Sequence, residues 1–266
     1  MRRLVPVMVL FAAMIAGCGE KKAPETPVTS ETPTDGGEAS TDASGFVNID
    51  LSEEDEDTFA AEILQATASC GNLVALEPTA MMGKLKDAEV RCLEDSIKNA
   101  EKQTVKDKVS RVLMADSWAK QDTTRWEALV RRHLNEIDRS DPDLCYKFAK
   151  FLSGREPEYM EECTHWAEVA LENKSQWKGD TFVSRVNALY KMRAVAAQRR
   201  WEWLEKKYVA KPDEALGQDK DKARNDAKTM SREWLEYAKQ SGKDTTMAMQ
   251  MCVSAAGTED FCKQTD

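Results

Sequence analysis

The chain is poor in histidine, glycine and proline, and each shortage excludes a class of chemistry. Two histidines in 266 residues, with no CxxC, CxxCH or HExxH spacing, leave little room for a zinc site or a thiol redox motif. No glycine-rich loop links a strand to a helix, and no GxSxG is present, so phosphate-binding fingerprints and the hydrolase elbow are absent. Nothing calls for a cofactor or a metal. Excess positive charge is also missing: the net charge is -9, against the basic surface that nucleic-acid binders carry. With 32% charged residues and a mean hydropathy of -0.60, the chain is not a polytopic membrane protein.

The one apolar run, Leu4 to Ala16, follows Met1-Arg2-Arg3 and is broken by Pro6. It has the form of an export signal and is too short for a stable membrane helix. It ends in Ile15-Ala16-Gly17-Cys18, which resembles the lipobox of bacterial lipoproteins. That resemblance implies cleavage before Cys18, a diacylglycerol on its thiol, acylation (palmitate) of the new amino group, and membrane lipid as a partner. Several acyl chains anchor where one binds reversibly. Gly19, rather than Asp, in the next position points to the outer membrane over the inner in a Gram-negative host.

Residues 19–57 are rich in Pro, Glu, Thr, Ser, Asp and Gly, and end in the acidic stretch Glu53 to Asp57. They have little to bury and read as a disordered tether with a reach on the order of 35 Å. They carry 12 acidic and 2 basic side chains, whereas residues 58–266 carry 35 and 34. The acidity therefore belongs to the tether. The expected organisation is a signal at 1–17, a lipidated cysteine and tether at 18–57, and a folded part at 58–266.

The folded part has seven glycines and four prolines in 209 positions and no alternating strand pattern. Apolar residues recur at three and four, as in Val105, Val109, Val112 and Leu113, then Trp126, Leu129, Val130 and Leu134. The prediction is all-α, with helices over 57–70, 80–100, 103–119, 123–138, 142–152, 157–173, 180–208, 218–240 and 244–253. Short connections make consecutive helices antiparallel hairpins, as an irregular α-solenoid or a bundle. Tyr146, Ala149 and Phe151, followed by Cys163, Ala167 and Ala170, resemble the paired helices of tetratricopeptide-like repeats over about 103–208. An incomplete Trp-Leu-Gly-Tyr pattern and an uneven period depart from that family. The resemblance implies a scaffold or a peptide-binding module.

Six cysteines remain after Cys18: Cys70, Cys92, Cys145, Cys163, Cys252 and Cys262. In an exported chain they read as up to three disulfides, and sequential pairing is the expectation. A 142–152/157–173 hairpin centred near residue 154.5 puts Cys145 level with Cys163.

His133 and His165 read as packed or partly exposed helix residues, and Glu161-Glu162 as a solvated face. Trp201 and Trp203 diverge by about 200° on one helix. One of them beside Arg199 and Arg200 can rim a groove for an acidic peptide or glycan; equally, the helix can be buried on two sides. The functional expectation is a membrane-anchored scaffold or peptide-binding module in the cell envelope, with envelope proteins or peptides as partners. An envelope enzyme of unfamiliar helical fold and a structural spacer are the alternatives.

Overall fold

The computed structural model describes residues 61–264 apart from 62 and 178–180. The expected signal, Cys18, the tether and the start of the first predicted helix lie outside the described residues.

The described residues are helical, without strands. The helices, in chain order, are α1 (Leu73–Met81), α2 (Asp87–Asn99), α3 (Gln103–Ala119), α4 (Thr123–Arg132), α5 (Pro142–Ser153) and α6 (Met160–Glu172). They continue as α7 (Phe182–Ala210), α8 (Glu214–Gln240), α9 (Thr246–Ala256) and α10 (Glu259–Lys263). From α2 onward each packs mainly on its neighbours in sequence, and α1 packs on α3, giving an all-α irregular solenoid or bundle. Four of the starts are set by side-chain caps. Asn72 Oδ1 accepts from Val74 N at 3.0 Å, Asp122 Oδ1 from Arg125 N at 3.0 Å, and Asp213 Oδ1 from Leu216 N at 3.1 Å. Asp141 Oδ1 accepts from the Asp143 and Leu144 amides at 2.9 and 3.0 Å, and Pro142 occupies the first turn, where its missing N–H costs nothing.

Three boundaries differ from the periodicity. The predicted helix 80–100 is two helices, because the chain reverses at Gly83, whose φ is +65°. A Cβ there would sit 3.0 Å from Lys120 N, so only glycine permits this approach to the end of α3. The break is held by Asp116, a fully buried carboxylate that accepts from Leu85 N at 3.1 Å, and by Lys120 Nζ donating to Leu85 O at 2.8 Å. The gap between the predicted helices 57–70 and 80–100 is filled by α1, with Pro78 inside it. The predicted helix 123–138 changes to a π-helical turn at His133–Ile137.

The main core runs from Ile63 to Ala196, and its fully enclosed members include Leu93, Leu113, Leu134, Phe148, Leu152 and Leu189. A second cluster around Ala194, Trp234, Leu235 and Cys252 joins α7, α8 and α9. The long α7 thus faces the first core on one side and the second on another. This is the helix buried on two sides that the sequence admitted as the alternative to a groove.

Disulfides join Cys70 to Cys92 and Cys252 to Cys262, tying the turn before α1 to α2 and α10 to α9. The third expected bridge is corrected: Cys145 and Cys163 are both free and buried. The Cys163 thiol donates to Ala149 O at 3.2 Å, whereas the Cys145 thiol lies 3.7 Å from Arg139 O. Cys163 therefore lies opposite a residue one helical turn beyond Cys145. The extra 3-10 turn at Pro157–Tyr159 moves the centre of the hairpin from 154.5 to about 156. Burial pushes both thiols up, Cys163 to about 12. Alkylation of the folded protein at pH 8 is expected to leave both unmodified, and alkylation in denaturant to modify both. Non-reducing peptide mapping that linked Cys145 to Cys163 would contradict this register.

The expected membrane-lipid partner and lipid-anchored outer-membrane location are also corrected. Four of the described cysteines are spent on intramolecular disulfides and the other two are enclosed, so none is open to lipid attachment. Among the described residues, no helix is long and apolar enough to cross a membrane.

Candidate functional site

Two polar regions stand out, one sealed and one open. The sealed one is built on the π-helical turn. This turn delivers His133 into the core, where its Nδ1 lies 3.2 Å from Ser110 Oγ and its Nε2 lies 3.3 Å from Asp107 Oδ1. Arg111 Nε donates to Asp107 Oδ2 at 2.9 Å, and its Nη2 to Asp141 Oδ2 at 2.7 Å. Asp141 is the cap of α5, so the chain of bonds runs from α3 through the turn to the N-terminus of α5. Beyond it, Arg185 of α7 donates to Asp143 Oδ1 at 2.6 Å and lies over the Trp177 ring at 5.6 Å.

These contacts set the ionisation of the group. Burial by itself raises Asp107, but the hydrogen bonds from His133 and Arg111 and the Arg111 charge outweigh it and hold the carboxyl below its usual 3.8. Burial lowers Arg111, yet Asp141 and Asp107 more than offset this and keep it charged. Burial pushes Asp143 up despite the opposing charge of Arg185.

No sequence motif links Ser110, His133 and Asp107, yet the fold brings the three together. It is not a nucleophilic centre: Ser110 and His133 are both 0% exposed, so no substrate reaches the hydroxyl. The roles are structural: the imidazole on the π-helical turn bonds the Ser110 hydroxyl and lies against the Asp107 carboxylate, both on α3.

The open region is a cleft of about 320 Å³ over the middle of α7. Its α6 wall carries Glu161, Thr164, His165 and Glu168; its floor on α7 carries Ala197 and Arg200; its α8 wall carries Lys222, Ala223, Asp226 and Met230. The three- and four-residue spacing along each helix puts each set on one face. Ala197 on α7 and Ala223 on α8 are nearly fully buried, and neither side chain is long enough to fill the space above it. Ion pairs brace the walls. Arg200 Nη2 meets Glu161 Oε2 at 2.8 Å, while Arg193 spans from Glu168 at 2.9 Å to Glu233 at 2.8 Å. The His165 ring is 4.8 Å from Trp166, and its Nε2 is 3.4 Å from Arg139 Nη2.

The four residues named for a groove do not share one. Arg199 donates to the backbone carbonyls of Ser153 and Arg155, where it closes the C-terminus of α5. Arg200 alone opens on the cleft. Trp201 packs against the Ala197, Ala227 and Ala255 cluster, with Arg224 over its ring at 5.4 Å. Trp203 is covered by Lys207 Nζ at 3.4 Å. Of the two adjacent glutamates, Glu161 faces the cleft, while Glu162 pairs with Arg131 at 2.8 Å. Among the described residues, no group of three or more His, Cys, Asp or Glu is arranged to hold a metal ion.

No family model, curated protein or solved structure matches this chain.

Proposed function

We propose that the chain is a helical scaffold of tetratricopeptide-like kind whose cleft between α6, α7 and α8 holds a peptide segment of a partner protein. The observation that carries this reading is the cleft itself. Its floor lies on α7, the helix that two cores share, its walls are braced by ion pairs, and its volume suits a few side chains rather than a whole domain. Stacked helical hairpins commonly present such concave surfaces to partners. An α5–α6 hairpin that buries Ala149, Cys163, Ala167 and Ala170 supports the repeat-like reading. The enzyme alternative has less support, because the Ser110-His133-Asp107 arrangement among the described residues is closed to substrate.

The test is selection of peptides from a random dodecapeptide display library on the folded protein. Enriched peptides are expected to bind with Kd values of about 1–100 μM, the range of a small, partly wet interface. Thr164→Trp, which fills the cleft from its α6 wall, is expected to weaken them at least about tenfold, a difference of ~1.4 kcal/mol, with little change in Tm. No enrichment, or peptides indifferent to that substitution, would defeat the proposal.

A further inference from the structure

Of the three carboxylates in the cleft, two are already committed. Glu161 holds Arg200 and Glu168 holds Arg193. The third, Asp226, is half-buried on the α8 wall and has no hydrogen bond or ion pair to any described residue. Lys222, one turn away on the same wall and exposed, is not bonded to it. The apolar part of the same lining is Ala197 on α7 with Ala223 and Met230 on α8.

From this arrangement we infer that the cleft takes a cationic side chain, an arginine or lysine of a peptide partner. Its charged head meets Asp226 and its methylene stem lies along Ala197, Ala223 and Met230. The inference rests on the peptide-binding reading and names what that site recognises. An apolar floor under an uncommitted carboxylate matches the two halves of a long basic side chain, whose stem packs while its head stays hydrated or paired. An acidic side chain is disfavoured at the same spot. It would face Glu161 and Glu168 as well as Asp226; the Arg200 cation is already held by Glu161, which leaves the solvent-exposed Lys222 as its one open partner among the described lining residues. A purely apolar side chain would fill the floor but leave Asp226 desolvated without a partner, which costs affinity. Lys222 at the mouth sets a second condition: a carboxylate beside the basic residue is accommodated there, and a second cation is not.

The experiment uses three small probes of equal backbone, N-acetylarginine amide, N-acetylnorleucine amide and N-acetylglutamate amide, titrated into the isotope-labelled full chain. Amide shifts in α6, α7 and α8 are followed. The arginine probe is expected to give saturable shifts around Glu161 to Glu168 and Lys222 to Met230, with a Kd of about 1 mM for one anchored side chain. The norleucine and glutamate probes are expected to bind at least about fivefold more weakly, and Asp226→Asn to weaken the arginine probe by about fivefold while leaving norleucine unchanged. Norleucine or glutamate binding in the cleft as tightly as arginine would overturn the cationic occupant and leave the peptide-binding reading standing. Failure of the arginine probe to saturate would overturn the inference as well, while the peptide selection would still decide the broader reading.

Discussion

Replacing Arg111 by methionine is expected to cost about 3 kcal/mol of folding stability. The guanidinium sits between Asp107 and Asp141, whose side chains are 13% and 5% exposed, and donates to both within 3.0 Å. Removing it leaves two carboxylates buried near each other without a cation. The loss is one of unpaired charge rather than of a single bond. The figure is at the lower end of the range for broken buried pairs because the Arg111 side chain keeps 17% of its exposure. A loss below about 1 kcal/mol in urea unfolding would put the network in the class of surface pairs. The same variant has a pH signature. The folded-state value of Asp107 lies below its ordinary 3.8, so its stabilisation is present above about pH 4 and is lost as pH falls through the folded value. Without Arg111 that lowering is much reduced. The gap between wild type and Arg111→Met should therefore narrow as the pH drops below about 4.

Phe148→Ala should cost about 3–5 kcal/mol, the largest loss expected of any single truncation here. Phe148 is 0% exposed at the centre of α5. Its ring lies 6.2 Å from Trp126 of α4 and 6.1 Å from Trp166 of α6, with Arg131 over it at 5.1 Å. Truncation opens a void at the junction of three helices, and those helices are held apart by their other contacts, so the void does not close. Tryptophan fluorescence should shift together with the stability, because Trp126 and Trp166 line the space. Phe148→Leu, which restores most of the volume, is expected to recover more than half of the loss.

Much of the helical frame can be read from the residues. Gln103–Ala119 follows from Val105, Val109, Val112 and Leu113, and the start of α5 from Asp141-Pro142. What periodicity could not reach was tertiary. Gly83 breaks a helix because α3 passes within contact distance, and no local signal says which segment will be there. The π-helical turn at His133 is likewise set by partners on α3, Ser110 and Asp107, more than 20 residues away in sequence. Level spacing about an assumed turn misplaced Cys145 by one helical turn, because a 3-10 turn lengthened the connection.

The cleft was hidden for a similar reason. Glu161, Thr164, His165 and Glu168 share a face in the sequence, as do Lys222, Asp226 and Met230. Each set alone is an ordinary polar helix surface. Only the packing of both helices on α7 brings the two faces together over Ala197. The aromatic signal pointed elsewhere: Trp201 and Trp203 are covered by Arg224 and Lys207, and Arg199 is used by the end of α5. Large side chains drew attention, whereas the space above small ones makes the site.

The central claim, that the cleft over α7 is where a partner segment binds, is tested most directly by amide hydrogen exchange on the full chain with and without a tightly bound selected peptide. The account predicts added protection in α6, the middle of α7 and the first half of α8, absent in Thr164→Trp. Protection confined to the other end of the molecule, around Val74 to Met82 and Trp118 where exposed apolar side chains also lie, would contradict it.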